Sequence, residues 1–336
     1  MKIDGGLGSD LAEVGTMART REEQGYDGLW SAETAHDPFF PLLMAAQTTE
    51  RVELGTGIVV AFARNPMLLA QAGWDLQAAS KGRFILGLGS QIEPHITKRF
   101  SMPWSAPAAR MREMISAIRA IWAAWQDGTK LDFRGDFYTH TLMTPFFNPG
   151  PNPHGVAKIF LAGVGERMTE VAGEVSDGFL CHPFTTDRYL REVTLPALER
   201  GAKRSGRVLS ELEVSGPAFV VTGATEEAMA SSAAKTRQQI AFYGSTPAYR
   251  PVLELHGLGA LQDELHAMSK QGRWEEMGEL ITDDVLHLFA VVAEPEDLAS
   301  RVAERFGGIV QRLSFYTPHT GEVDRWKAAL ERLHNV

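Results

Sequence analysis

The chain has 336 residues, 44% of them hydrophobic and 22% charged, so it buries a sizeable core as one large domain or two ordinary ones. Its 33 basic and 42 acidic residues leave a net charge of −9, which argues against nucleic acid and anionic membranes as partners. A single cysteine, Cys181, excludes an internal disulfide; with no apolar run of membrane-spanning length and no apolar signal core after Met1, the expected location is the cytoplasm.

Short β-type runs alternate with helical ones along the chain. A strand at 3–7 precedes a helix at 11–24, in which Leu11, Val14, Ala18 and Arg21 fall at helical spacing and Gly25 is the stop. A strand at 28–31 precedes an apolar helix at 39–49 introduced by Pro38. The Val- and Ile-rich run 52–60 leads to a helix from Pro66 to Ala79, and a strand at 83–88 leads to the helical stripe of Met111, Ile115, Ile118 and Trp122. Between 126 and 157 the sequence turns rich in Pro, Gly and aromatics, which reads as an ordered insertion. The alternation resumes with strands at 158–161, 178–181 and 212–221 and helices at 167–175, 188–205 and 226–242. A second insertion at about 244–290 precedes a helix at 296–306, a last strand at 312–316 and a terminal helix at 326–333.

Eight strands, each followed by helix, make a (β/α)₈ TIM barrel, for which about 250 residues is typical; the two insertions account for the remainder. No linker interrupts the rhythm, so residues 1–336 are expected to form one domain. The Gly87-Leu88-Gly89 run is no dinucleotide fingerprint, because Ile92 stands where the third glycine belongs. Ten histidines occur without H-E-x-x-H or any Cys/His spacing suited to a metal, and no metal is expected.

Barrel chemistry sits at the carboxyl ends of the strands. Here those ends carry Glu33 and His36 after the second strand, Gly57 and Ile58 at the third, Gly89, Ser90, Gln91 and His95 after the fourth, and His182 and Thr185 after the sixth. After the fifth strand, Gly163-Val164-Gly165 runs straight into a helix, where free N–H groups and the positive dipole end suit a phosphate. Asp37 before Pro38 also reads as a plain helix cap, and Cys181 as packing.

Five segments together resemble the bacterial luciferase-like family of flavin and deazaflavin (coenzyme F420) oxidoreductases over nearly the whole chain: Gly25 to Trp30, Glu50 to Ile58, Asn65-Pro66, Lys81 to Ser90, and Ala172 to Phe179. The Glu33 to Pro38 segment and the long Pro/Phe insertion are most similar to its F420-dependent subgroup. The resemblance implies a cofactor, F420 or alternatively FMN, held by Glu33, Thr56, Gly57, Ile58, Gly89, Ser90 and Gln91, with a non-prolyl cis peptide at 57–58 behind the ring. Its phosphate end would lie on Gly163, Val164 and Gly165 beside His182 and Thr185, and Tyr243, Tyr249 and Arg250 are candidates for the anionic tail. Thr34 replaces the histidine common there, which leaves Glu33, His36 and His95 as acid/base candidates. The implied activity is hydride transfer between the deazaflavin C5 and a small organic substrate. The alternatives are an FMN-dependent two-component monooxygenase fed by a partner reductase, and a non-catalytic flavin-binding barrel; a homodimer is implied as well.

Overall fold

The run Ile3, Asp4 and Gly5, buried on both faces, starts a sheet whose first strand, β1 (Lys2–Gly6), receives β2 (Gly28–Ser31) in parallel, with Asp4 opposite Gly28. The computed structural model describes residues 1–316 and 332. The further strands are β3 (Glu53–Thr56), β4 (Val59–Val60), β5 (Phe84–Gly89), β6 (Phe133–Arg134), β7 (Thr139–His140), β8 (Lys158–Gly163), β9 (Gly178–Cys181), β10 (Glu213–Val221), β11 (Ala290–Val292) and β12 (Arg312–Tyr316). The helices are α1 (Val14–Glu23), α2 (Phe39–Thr48), α3 (Pro66–Ala79), α4 (Pro107–Gln126), α5 (Glu166–Val175), α6 (Asp187–Tyr189), α7 (Leu195–Arg204), α8 (Glu226–Gly244), α9 (Arg250–Leu255), α10 (Gly259–Lys270), α11 (Asp283–Phe289) and α12 (Leu298–Phe306).

Strands β1, β2, β3, β5, β8, β9, β10 and β12 neighbour one another in chain order and the ring closes, giving the expected (β/α)₈ barrel. The expected strand 52–60 is broken in two: β3 ends with Thr56 opposite Ser31 of β2, Gly57 N–H still reaching Ser31 O at 2.8 Å, and β4 then pairs with the far end of β5. Strand β11, beside β10 with Ala290 opposite Phe219, was not foreseen, because three residues carry no periodicity. The helix expected at 326–333 lies outside the described residues, Arg332 excepted. No helix among them is long and apolar enough to cross a membrane.

Contacts divide the chain into two compact units. In the unit of Asp4–Leu180 and Ala197–Glu213, backbone proximity is extreme where β3 meets β5. The Thr56 hydroxyl donates to Gly87 O at 2.7 Å and accepts Gly87 N–H at 2.8 Å, and a Cβ on Gly87 would lie 1.8 Å from Thr56 O. Outside the strands, Trp122 of α4 is buried against Gly73 of α3 and donates to Ala70 O at 3.0 Å. The Glu22 carboxylate collects the N–H groups of Glu50, Arg51 and Val52, and so fixes the entry to β3. The first insertion is a β6/β7 hairpin whose turn is gripped by Glu113, which accepts from Asp136, Phe137 and Tyr138 N–H. Tyr138 is anchored by Arg110 at 2.8 Å, whereas Phe146 and Phe147 stand 87% and 68% exposed.

The unit of Met1–Ile3, Cys181–Pro196 and Val214–Val336 packs a second apolar cluster around Phe184, Phe219, Leu253, Leu265 and Phe289. Phe184 and Phe289 stack with centroids 4.5 Å apart. The second insertion is mainly helical here, supplying α9, α10 and α11 to this core.

Candidate functional site

The first group of functional side chains lies at the carboxyl ends of β2 to β5. Ser31 O accepts Gly57 N–H, and two residues further on Glu33 N–H donates to Ile58 O at 3.1 Å. The 57–58 peptide is cis, as the resemblance implied, and the β2 end holds it on both sides. Ile58 in turn fills the space a side chain on Gly89 would need, since a Cβ there would sit 2.8 Å from its Cδ1.

Glu33 is gripped from one side only. Its Oε2 accepts Val60 N–H at 2.7 Å and the Arg64 guanidinium at 2.6 Å, while Oε1 has no hydrogen-bond partner among the described residues. Arg64 also reaches Asp37 Oδ2 at 2.8 Å, and Asp37 Oδ1 caps Phe39 N–H at 2.9 Å. Asp37 thus meets the first N–H of α2, although Pro38 and not Asp37 is the residue that begins the helix, and Arg64 is a site residue that the spacing did not reveal. Its signal was only its place in the polar end of the third strand's segment.

The other candidates separate. Thr56 is completely buried with its hydroxyl on Gly87, so it holds two strands together rather than facing a ligand. His36 and His95 are exposed, and among the described residues no hydrogen-bond partner orients either ring for proton transfer. Thr34, where the resemblance leads one to expect a histidine, accepts from Arg99 through its carbonyl. Ser90 and Gln91 are half-buried, and Gln91 takes a positive φ of 58° at the turn out of β5. Gly163 and Val164 lead to Gly165, the residue before α5; among the described residues no side chain caps that helix, which leaves the N–H groups of Glu166 and Arg167 for an anion, Met168 N–H being bonded to Gly165 O. The glycines there and the one-sided carboxylate fit a phosphate-bearing ring cofactor.

The second group belongs to the other unit. His182 Nδ1 accepts Phe184 N–H at 3.1 Å, and its Nε2 lies 3.0 Å from Tyr249 Oη. The imidazole stacks on Tyr249 at 4.3 Å and meets the edge of Tyr243 at 4.8 Å. Burial pushes the His182 pKa down to about 4. Tyr243 and Tyr316 share a 2.8 Å hydrogen bond, and burial raises the pKa of both Tyr243 and Tyr249. Thr185 is buried, and its hydroxyl has no hydrogen-bond partner among the described residues. Arg250, expected to reach an anionic tail, is instead engaged by Glu254, Gln262 and Asp263. Burial raises the Cys181 thiol to about 12, in keeping with a packing role. Among the described residues no cluster of His, Cys, Asp or Glu is placed to hold a metal ion.

The chain belongs to the luciferase-like monooxygenase family, whose model matches residues 2–312. It is 58% identical over 313 residues to an uncharacterized protein of Mycobacterium tuberculosis, covering 93% of this chain and 92% of that one. It is 30% identical over 298 residues to the 5,10-methylenetetrahydromethanopterin reductase of Methanolobus tindarius, covering 88% and 86%. The coenzyme F420 dependent tetrahydromethanopterin reductase of Methanopyrus kandleri shares the fold with a TM-score of 0.77 at 18% identity, covering 99% and 96%.

Proposed function

We propose that the protein is an F420-dependent oxidoreductase that moves a hydride between the deazaflavin C5 and a small organic substrate. The observation that carries the reading is the Glu33 carboxylate, fixed through Oε2 and offering Oε1 beside the clamped 57–58 peptide. Fixed acceptors of this kind orient a ring cofactor, and orientation is most of what hydride transfer asks of a protein. The cofactor, when bound, supplies the hydride. Gly57, Ile58, Gly89, Ser90 and Gln91 would flank its ring, and Gly163, Val164 and Gly165 would take its phosphate at the α5 terminus.

The relatives support F420 over FMN. The Methanolobus protein is a methylenetetrahydromethanopterin reductase, and the Methanopyrus reductase is F420 dependent. A homodimer belongs to this reading, with the exposed Phe40, Leu43 and Met44 of α2 and Leu68 of α3 as apolar surface for it; sedimentation velocity tests it. Replacing Glu33 by alanine tests the cofactor reading: F420 affinity should fall about tenfold, the loss of one charge-assisted hydrogen bond. Unchanged affinity would refute the assignment of Glu33.

A further inference from the structure

Trp30 stands on β2 and Phe160 on β8, strands separated in the barrel by β3 and β5, yet their ring centroids lie 6.0 Å apart. Side chains of strands that do not pair meet in this way only inside the barrel, so Trp30 points inward. Glycine makes its place there. Gly55 sits opposite Trp30 on β3, and a Cβ on it would lie 2.4 Å from the indole Cζ3 and 2.5 Å from Cε3. Two residues further along the chain, a Cβ on Gly57 would lie 3.4 Å from Cε3. The six-membered ring of the indole therefore covers Gly55 and reaches up to Gly57 at the strand ends. All of these residues belong to the unit of Asp4–Leu180 and Ala197–Glu213.

The indole is closed in at its own level and open above. Ile85, opposite Gly55 on β5, is 1% exposed, and Phe160 is fully buried. Trp30 is half-buried, whereas Gly57 is exposed. Ala162, two residues beyond Phe160 on the same inward face of β8, is small and half-buried. The exposed part of Trp30 thus lies on the side of Gly57. The indole nitrogen is itself buried, so the surface shown there is carbon. A flat carbon surface offers no hydrogen bond and favours the face or edge of another conjugated ring.

We propose that Trp30 is a cofactor-binding residue, the floor on which the deazaflavin ring packs, and that Gly55 is the positioning residue that sets the height of this floor. The inference rests on the proposed function, in which Gly57, Ile58 and Gly89 flank the ring. Glu33 then meets a polar edge of the ring through Oε1, and Trp30 meets its apolar part. The role of Gly55 follows from the packing. An added carbon at 55 collides with the indole, the level of Ile85 and Phe160 is full, and the indole can move only toward Gly57, where the ring would lie.

The test uses the full chain and starts with F420 titrations of wild type, Trp30→Leu, Trp30→Phe, Gly55→Ala and the double variant Gly55→Ala/Trp30→Phe. Loss of the aromatic surface in Trp30→Leu should weaken binding about tenfold. Gly55→Ala should also weaken it about tenfold, although its carbon lies beneath the indole and away from the ring. Trp30→Phe gives back the space, so the double variant should bind more tightly than Gly55→Ala alone, a coupling that independent structural damage would not produce. Wild-type affinity in Trp30→Leu, or losses that simply add in the double variant, overturns the proposal. The second measurement needs no Gly55 variant. In protein carrying fluorotryptophan, the fluorine signal of Trp30, assigned by its loss in Trp30→Phe, should shift when F420 binds, while that of Trp122, buried between α3 and α4, stays in place. A Trp30 signal unmoved by bound F420 overturns the proposal. The two readings part at this point: a wild type that fails to bind F420 removes the proposed function and this proposal together, whereas F420 bound with Trp30 unmoved removes this proposal alone.

Discussion

Arg64 reaches Glu33 with one guanidinium nitrogen, 2.6 Å from Oε2, and with the other holds Asp37 at 2.8 Å. Both bonds on Glu33 fall on the same oxygen, and the side chain is only 7% exposed. Arg64→Met strips a mostly buried carboxylate of its cation and should lower stability by about 2 kcal/mol and weaken F420 binding about tenfold. Arg64→Lys keeps the charge but not the fork, and should fall between. Thermal unfolding and a cofactor titration check both; unchanged affinity in Arg64→Met would mean that Glu33 needs no positioning.

Gly87→Ala should be among the most damaging small substitutions in the chain. The added carbon would meet the Thr56 carbonyl at 1.8 Å, and backbone in the middle of a sheet has nowhere to move. A loss of about 3 kcal/mol or more is expected. Denaturant unfolding measures it, and a variant as stable as wild type would contradict the β3/β5 packing. Gly165→Ala, where no atom lies within 4 Å of the added carbon, is the control and should leave stability nearly unchanged.

Acid should destabilise the protein through His182. Burial pushes its folded pKa down to about 4, from 6.5 in an unfolded chain. Between those values the unfolded state binds the extra proton, so this contribution is complete above pH 6.5 and falls away as pH drops toward 4. The difference amounts to about 3 kcal/mol. The rings that face His182, Tyr243 and Tyr249, have raised pKa values and do not titrate in that window. Urea midpoints from pH 7 to 4.5 should fall more steeply in wild type than in His182→Gln; parallel slopes would contradict the burial of a neutral imidazole.

The thiol of Cys181 should resist a disulfide reagent in the native protein and react fully once the chain is denatured, because burial raises it to about 12 and removes access. Rapid labelling of the folded protein at pH 8 would place the end of β9 in contact with solvent.

The barrel was legible because its signal is repeated. Eight apolar runs punctuated by glycine and alternating with helical stripes leave few other topologies. The ends of β2, β3, β5 and β8 were legible for the same reason, since the fold dictates where strand ends meet solvent. What escaped were relationships between distant residues. Arg64 lies 31 positions from Glu33, and Tyr249 lies 67 from His182, separations that no periodicity encodes. Arg250 looked free to meet an anion because its acidic partner Asp263 is one helix away. His36 and His95 drew notice as residue types with acid/base capacity, but exposure and orientation are properties of the folded chain.

The most direct test of the central claim is a paired titration of the purified protein with F420 and with FMN in one buffer, read by fluorescence quenching. The account predicts micromolar or tighter F420 binding (about −8 kcal/mol or stronger), FMN much weaker, and F420 binding weakened in Glu33→Ala. FMN binding more tightly than F420 would contradict it and point instead to the monooxygenase chemistry of the family, supplied by a partner reductase; binding of neither would remove the cofactor altogether.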